Sequence, residues 1–147
     1  MLRCFDDENV THVDGTVDPV RDKEIIDAEL QLKDLETIES RIQKLEKQAR
    51  TGGDKDALRA FNIYSKFREA LQQGLSARTV AFDNKDDEKI ARELYLLTYK
   101  PVMYICNVDE ASAATGNKYV EAVREATKTE NAEILVVAAK IESEIAE

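Results

Sequence analysis

The apolar residues between positions 35 and 49 recur at alternating steps of three and four. The members of this series are Leu35, Ile38, Ile42, Leu45 and Ala49. This spacing is typical of a coiled-coil seam, so it predicts a long helix that packs along one face against a partner helix. We expect this first helix to run from Val20 to Arg50.

Residues with strong end preferences bracket the predicted helix. Asp18-Pro19 provides an N-cap followed by a proline at the first helical position. The helix should end in Thr51-Gly52-Gly53-Asp54, because glycine is favoured just past a helix end and Asp54 can cap a second helix that reaches Gln73. The two helices are predicted to pack antiparallel as a coiled-coil hairpin over residues 20–74, about 45 Å long.

Three other apolar runs are short and continuous. They are Leu2–Phe5, Pro101–Cys106 and Ile134–Ala138. A helical pattern capped at Asn84, with apolar residues at helical spacing from Ile90 to Leu97, precedes the second run. Another helical pattern over Gly116–Lys128 separates the second run from the third. Continuous apolar strands that alternate with helices indicate a parallel sheet covered on both faces. The predicted fold is therefore α/β, with a partial parallel sheet formed by residues 1–19 and 75–147 and the hairpin inserted between them.

Charge is distributed unevenly along the chain. The formal net charge of −9 would by itself argue against nucleic-acid binding. Residues 41–68, however, contain eight basic and three acidic side chains, which gives this segment a charge of +5. Such a patch favours an anionic partner such as RNA or a ribosome, although coiled coils also carry Lys and Arg for solubility. The residues predicted to bind a macromolecule at this basic tip are Arg41, Lys44, Lys47, Arg50, Lys55 and Arg59.

The sequence contains no pattern for secretion, membrane insertion or metal binding. No apolar run approaches the roughly 20 residues of a membrane span, and the amino terminus lacks a signal-peptide pattern. We therefore expect a soluble cytoplasmic protein with no membrane partner and no metal site. Cys4 and Cys106 lie in apolar runs without metal-ligand spacing, which predicts reduced core residues. His12, the only histidine, is expected to pack or to form a hydrogen bond.

The tetrapeptide Asn107-Val108-Asp109-Glu110 directly follows the second apolar run. Open α/β sheets bind ligands at the carboxyl ends of their strands. The tetrapeptide is similar to the Asn-Lys-x-Asp of translational-type GTPases, with Val108 in the Lys position and Glu110 in the Asp position. The longer carboxylate disturbs the fit to guanine, whereas Asn107 can still bond the N7/N6 edge of adenine. The alternative interpretation is a capped turn before a helix.

The phosphate-binding part of a nucleotide site is missing from the sequence. None of the five glycines belongs to a Gly-x-x-x-x-Gly-Lys-[Ser/Thr] motif. No Asp-x-x-Gly is found that would act on Mg²⁺ or on an attacking water, and phosphoryl transfer depends on such groups. We therefore predict no catalytic residue, no tightly bound cofactor and no nucleotide hydrolysis by these 147 residues alone.

The order of several short motifs resembles the YchF family, the Obg-like ATPases of the P-loop class. The matching segments are Arg3–Phe5, His12–Gly15, Val17–Asp22, Glu24–Ile26, Glu29-Leu30, Asp34–Glu36, Gly52–Lys55, Leu97-Thr98, Lys100-Pro101 and Asn107–Glu110. The resemblance extends from end to end of the chain. It implies a Rossmann-like G domain, of which the chain would be a central segment, with the P-loop and both switches before Met1 and a TGS domain after Glu147.

The resemblance also implies functional residues and ligands. Ala138-Ala139-Lys140 would match the family's Ser-Ala-Lys type loop, which touches the base, with Ala138 in place of Ser. The predicted base-binding residues are then Asn107, Val108, Glu110, Ala138, Ala139 and Lys140. ATP is expected in preference to GTP, with Mg²⁺, in the complete protein.

Two classes of function remain open from the sequence. In the first, the chain contributes base-recognition loops and a basic hairpin to a ribosome-associated ATPase or GTPase. In the second, the hairpin acts by itself as a module that binds RNA, a ribosome or another protein, with no DNA specificity. The two can coexist in a complete protein, but only the second would operate without a phosphate-binding loop.

Overall fold

The computed structural model describes residues 1–7, 15–49 and 55–146, without the side chains of residues 47–49. Within these ranges the helices and strands divide between two compact units. One unit, here the sheet unit, comprises residues 1–25 and 102–147, and the other, the helical unit, comprises residues 26–101. Some predicted features lie outside the described residues. They are His12, the end of the first helix at Arg50, and the stop signal with its Asp54 cap in Thr51–Asp54.

The sheet unit is built on three parallel strands in the order β1-β2-β3. These strands are β1 (Leu2–Arg3), β2 (Met103–Asn107) and β3 (Glu133–Val137). Their parallel pairing confirms the α/β prediction. Two helices follow β2 and β3 in the chain, α4 (Lys118–Thr127) and α5 (Ala139–Ile145).

Apolar side chains from the strands and from α4 form the core of the sheet unit. Its buried members are Leu2, Cys4, Tyr104, Cys106, Val108, Val120, Val123 and Ala138. Cys4 and Cys106 are free thiols with no exposed surface, as predicted for core residues. A hydrogen bond with Cys106, together with burial, raises the pKa of the Cys4 thiol well above its usual range.

Helix α1 (Pro19–Ala49) begins in the sheet unit, where Asp18 caps it as predicted. Asp18 Oδ1 accepts a hydrogen bond from the Arg21 backbone N–H at 3.0 Å. One turn inside the helix, the ammonium of Lys23 lies 2.6 Å from the Glu130 carboxylate, which also accepts from the Tyr104 hydroxyl at 2.7 Å. This network fastens the start of α1 to the end of the sheet opposite Asn107.

The helical unit contains the rest of α1 together with α2 (Lys55–Gln72) and α3 (Lys85–Arg92). Its core cluster draws on all three helices and on the segments after them. The buried members are Ile38, Ile42, Ile63, Phe67, Leu71, Ala77, Ala91, Leu94 and Leu96. The ring of Phe67 meets Phe82 and Tyr99 edge to face, with centroids 5.5 and 5.3 Å apart.

A buried carboxylate links α1 to the segment that follows α3. Asp34 is only 2% exposed and accepts hydrogen bonds from the backbone N–H groups of Leu97 and Thr98, both at 2.7 Å. It also accepts from the Thr98 hydroxyl at 2.7 Å. The same hydroxyl accepts from the Ala77 N–H at 2.9 Å, so one buried network joins three segments of the unit.

One feature of the helical unit differs from the sequence prediction. The predicted helical pattern includes Leu97, but α3 ends at Arg92, because Leu94 and Leu96 are buried from a non-helical segment. Residues 75–101 pack with the helices of this unit. The division into a G-domain part and a hairpin insertion stays a prediction. The antiparallel coiled-coil arrangement of α1 and α2 stays a prediction.

Candidate functional site

Two predicted loops leave the carboxyl edge of the sheet next to each other. Asn107 and Val137 are the last residues of β2 and β3, and they are paired in the parallel register. The pairing continues one step further, because the Val108 N–H donates to the Val137 carbonyl at 2.8 Å. The segments 107–110 and 138–140 therefore start at adjacent points, at the edge where open α/β sheets bind ligands.

The side chain of Asn107 joins these two loops directly. Its Oδ1 accepts a hydrogen bond from the Ala139 backbone N–H at 3.0 Å. Ala139 is the first residue of α5, and Ala138 at the N-cap has no side chain that could accept this bond. Asn107 thus supplies from β2 the acceptor that the α5 N-terminus lacks.

This bond also fixes the orientation of the Asn107 amide. A backbone N–H can only donate, so the atom that faces it must be the oxygen rather than the nitrogen. Within the described residues, the Nδ2 group of Asn107 forms no hydrogen bond. Two donors remain available for an acceptor such as a purine N7, and Oδ1 keeps a second lone pair for a donor such as the adenine amino group.

The two acids that follow Asn107 have different roles. The Asp109 carboxylate accepts from the Ser112 N–H at 2.8 Å and caps the short 3₁₀ helix Glu110–Ser112. Glu110 is exposed, and its side chain has no hydrogen bond or ion pair in the part of the chain that the structure describes. A capped turn and an available carboxylate therefore occur in the same tetrapeptide.

The remaining predicted base-binding residues differ in exposure. Val108 and Ala138 are only 4% and 7% exposed and belong to the core cluster. Their side chains pack in the core, so a ligand at the surface would contact mainly their backbone atoms. Ala139 is half-buried and Lys140 is exposed, so the Lys140 ammonium can approach a ligand from solvent.

Residues after β1 complete this edge of the sheet, although sequence reasoning assigned no role to them. The Cys4 N–H donates to the Asn107 carbonyl at 2.8 Å, and Asn117 Nδ2 donates to the Cys4 carbonyl at 2.7 Å. Asn117 Oδ1 caps α4 by accepting from the N–H groups of Tyr119 and Val120. Asn117 immediately before a helical pattern is an N-cap signal, but its second bond to β1 depends on tertiary structure.

Tyr119 adds a polar contact at the same edge. Its hydroxyl donates to Asp6 Oδ1 at 2.7 Å, and this hydrogen bond is the main reason that the pKa of Tyr119 is raised. The segment after β1 is thereby held against α4 and below the Asn107 loop. Elsewhere in the described ranges, no group of three His, Cys, Asp or Glu residues is arranged to hold a metal ion.

Only some of the cations of the predicted basic tip are exposed and without an ion-pair partner among the described residues. Arg41, Lys44 and Lys55 are exposed and have no ion-pair partner among the residues described. The side chains of Lys47 and Arg50 fall outside the described part of the chain. Three of the six predicted cations are therefore placed on exposed helix positions of α1 and α2.

Arg59 differs from the other members of the tip because it is bonded to the start of α3. Its Nε lies 2.5 Å from Asp87 Oδ1, its Nη2 donates to Asn84 Oδ1 at 2.9 Å, and Asp86 lies 3.7 Å away. The hydrogen bond from Arg59, and then that from Asn84, lowers the pKa of Asp87, while Asp87 raises the pKa of Arg59. Arg59 is consequently engaged in a structural network and contributes little free positive charge.

Comparison with known proteins shows similarity over the whole chain. It is 48% identical to the ribosome-binding ATPase YchF of Bacillus subtilis and 42% identical to that of Haemophilus ducreyi, and it is fully covered in both alignments. Obg-like ATPase 1 of Oryza sativa subsp. japonica is 40% identical over 110 residues, which is 75% of this chain. No family model matches the sequence.

A solved structure agrees with these similarities. The YchF GTPase of Schizosaccharomyces pombe superposes on 96% of this chain with a TM-score of 0.83 and 29% sequence identity. The chain spans about 40% of the length of the bacterial relatives and 39% of the fission yeast protein.

The parallel strands and the helices that follow them define the class of this chain as an α/β region with a partial parallel sheet. Within that class, the chain belongs to the YchF family, which confirms the resemblance identified from its motifs. In the described ranges, no helix is long and apolar enough to cross a membrane.

Proposed function

We propose that this chain supplies the base-recognising part of a nucleotide-binding site. In this proposal Asn107 Nδ2 donates to the base, the Glu110 carboxylate accepts from an exocyclic amino group, and residues 138–140 close the pocket. The observation that supports it best is the 3.0 Å bond between Asn107 Oδ1 and the Ala139 N–H, because it holds both loops at one edge of the sheet.

The uncommitted groups of this edge fit a purine base. The free amide donors of Asn107 can serve the N7 atom that adenine and guanine share. Its second Oδ1 lone pair can accept from the N6 amino group of adenine but not from the O6 atom of guanine, so we propose that ATP is preferred to GTP. No residue of the described edge fits a triphosphate or Mg²⁺, so the phosphate-binding groups would come from sequence outside these 147 residues.

The direct test is nucleotide binding by a hybrid protein in which this chain replaces the matching residues of the Bacillus subtilis relative. Two variants separate the roles of Asn107. Asn107→Asp keeps an acceptor for the Ala139 N–H but removes the amide donors, whereas Asn107→Ala removes both. We expect both variants to weaken ATP binding by about tenfold or more, because a buried hydrogen bond to a ligand is worth on the order of 1–2 kcal/mol.

Folding must be separated from binding in this experiment. Asn107→Asp should keep the melting temperature within a few degrees of the unmodified hybrid, and Asn62→Ala, an exposed asparagine on α2, serves as the matched control. A third variant, Glu110→Gln, tests the proposed carboxylate acceptor. Its control is Glu133→Gln, which changes an exposed acid at the opposite end of β3. Unchanged ATP affinity in Asn107→Asp would exclude the assigned role.

We further propose that the exposed cations of α1 and α2 contact ribosomal RNA, which would place the complete protein in the cytoplasm. The bacterial relatives are ribosome-binding ATPases by name, and Arg41, Lys44 and Lys55 are exposed without ion-pair partners in the described ranges. Free cations of this kind can replace counterions on phosphate groups. We propose that they lie along an antiparallel coiled coil formed by residues 20–74.

Co-sedimentation with ribosomes across a salt series tests this second proposal. Reversal of Arg41, Lys44 and Lys55 to Glu should reduce binding at low salt and flatten its dependence on salt. Reversal of Lys118, Arg124 and Lys128 on α4 changes the charge equally and should have a smaller effect. Equal losses in the two triple variants would show that only net charge matters and would contradict a specific contact.

A further inference from the structure

An open groove on the helical unit carries cations and aromatic rings that the proposed base site does not use. It encloses a volume of about 620 Å³. Three segments of the helical unit form it: residues 78–81, the exposed side of α3 and residues 95–101. Small-molecule sites in proteins have volumes of about 300–1,000 Å³, so the groove is large enough to accommodate a nucleotide.

Tyr95 on the wall of this groove is both strained and exposed. Its φ angle is 53°, in the left-handed region that is unfavourable for residues with a bulky side chain. Its side chain is 79% exposed, so burial of the ring does not compensate for the backbone conformation. A strained residue without a structural contact is a marker for functional constraint, and an exposed ring is suited to stacking.

The cations of the groove are only partly neutralised. Arg78 and Lys100 have no ion-pair partner among the described residues, and the Arg78 Nε donates to the Lys100 carbonyl at 3.1 Å. This bond positions the guanidinium beside Lys100. Arg92 pairs with Glu88 at 2.5 Å, so the groove contains three cations and one carboxylate in a chain of net charge −9.

Another part of the groove lining is held in place by the core of the helical unit. The Tyr99 ring packs edge to face on Phe67, which is fully buried, with a centroid distance of 5.3 Å. Burial is the main reason that the pKa of the Tyr99 hydroxyl is raised. The groove thus combines a fixed aromatic wall, an exposed ring and two free cations.

We infer that this groove binds single-stranded RNA, with a base stacked on Tyr95 and the adjoining phosphates at Arg78 and Lys100. Single-stranded nucleic acids are bound by this combination, because every base has a face that can stack and every backbone unit carries a negative charge. An acidic peptide would satisfy the cations but would gain less from the exposed ring. The site lies in the helical unit and goes beyond both proposed functions.

The inference can be tested with the 147-residue chain and a fluorescein-labelled hexauridylate, by anisotropy at several salt concentrations. Tyr95→Ala should weaken binding by about tenfold, because one base stacked on an aromatic ring contributes on that order. Tyr95→Phe keeps the ring and should bind within about twofold of the unmodified chain. Replacing both Arg78 and Lys100 with Gln should lower the slope of log affinity against log salt by about 1.4, since each phosphate contact on a single strand contributes about 0.7.

Further variants distinguish the groove from general effects of charge and stability. Tyr95→Asn should lose RNA affinity while its melting temperature stays equal or rises, because Asn tolerates a positive φ. Lys118→Gln combined with Lys128→Gln removes two cations from α4 and should leave the affinity nearly unchanged.

Four outcomes would overturn the inference. One is the absence of RNA binding at low salt, and another is equal binding by Tyr95→Ala and the unmodified chain. The third is displacement of the labelled RNA by a polyglutamate peptide at lower concentration than by unlabelled RNA, which would indicate a peptide site. Loss of RNA binding only in the Arg41, Lys44 and Lys55 reversal would assign the contact to the basic tip, and the groove proposal would then fail while the tip proposal remained.

Discussion

The sheet unit and the helical unit use their polar residues in different ways. In the sheet unit, Asn107 and Asn117 stand at the ends of elements and bond backbone groups of neighbouring segments. In the helical unit, Asp34 holds the fold from inside, while most cations lie on exposed helix surfaces. Strand register therefore brings polar side chains to a common edge, whereas a helix distributes them around its circumference.

The largest change in stability that we predict follows from removal of the Asp34 carboxylate. Asp34→Ala would leave the buried N–H and hydroxyl groups of Thr98 without this acceptor, and would also remove the acceptor of the part-buried Leu97 N–H. We expect the free energy of unfolding to fall by about 3 kcal/mol, because unsatisfied buried donors each cost on the order of 1–3 kcal/mol. Urea denaturation of the chain, followed by circular dichroism, measures this change.

A neighbouring acid on the same helix provides the control. Glu36 is exposed, and among the described residues it pairs only with Lys33, at 2.8 Å, so Glu36→Ala should cost less than about 0.5 kcal/mol. If Asp34→Ala cost no more than Glu36→Ala, the helical unit would not depend on its buried carboxylate. The proposed difference between the helical unit, which a buried carboxylate stabilises, and the sheet unit, which polar residues at its edge stabilise, would then be wrong.

A smaller effect is expected for Asn117 in the sheet unit. Asn117→Ala removes the cap of α4 and the bond to the Cys4 carbonyl, and should lower the free energy of unfolding by about 2 kcal/mol. Asn117→Asp keeps a capping oxygen but cannot donate to Cys4, so about half of the loss should be recovered. Equal destabilisation by the two variants would mean that capping contributes nothing here.

The smallest effect concerns the exposed network of Arg59 and Asp87. Because Arg59 lowers the pKa of Asp87 below its ordinary value of 3.8, the folded state binds the proton less readily than the unfolded state. The associated stability is present above the unfolded pKa and is lost as the pH falls through the lower pKa of the folded state. The hydrogen bond with Asp87 raises the pKa of Arg59, so that group stays charged throughout this range.

Melting curves between about pH 6 and pH 2.5 test this pH dependence. The difference in melting temperature between the unmodified chain and Arg59→Gln should be small, and it should shrink as the pH falls. Arg124→Gln, which removes a cation with a longer 3.4 Å contact on α4, is the control and should show a weaker trend. A difference that grows on acidification would contradict the assigned pair.

The sequence was sufficient to predict most elements of the sheet unit. Continuous apolar runs predicted β2 and β3, and their ends placed Asn107 and residues 138–140 at one edge of the sheet. Neither the 3.0 Å bond between Asn107 and Ala139 nor the burial of Val108 was predicted. Both depend on how far neighbouring strands are offset, which periodicity within one strand does not determine.

The sequence was less informative about the helical unit. Charge counting placed Arg59 with the free cations of the basic tip, whereas it bonds Asp87 from a different helix. Asp34 was not recognised as a buried residue, although it lies four residues before Ile38 and therefore on the same helix face. Its partners at Leu97 and Thr98 are more than sixty residues away, so no local pattern predicts them.

The most direct test of the proposed base site is the Asn107 side-chain amide signal in ATP titrations of the hybrid with the Bacillus subtilis relative, followed by nitrogen-resolved NMR. If Asn107 donates to the base, both Nδ2 protons should shift, and the Ala139 amide should stay protected from exchange throughout the titration. Saturating ATP binding that leaves the Asn107 amide signal unchanged would contradict the account.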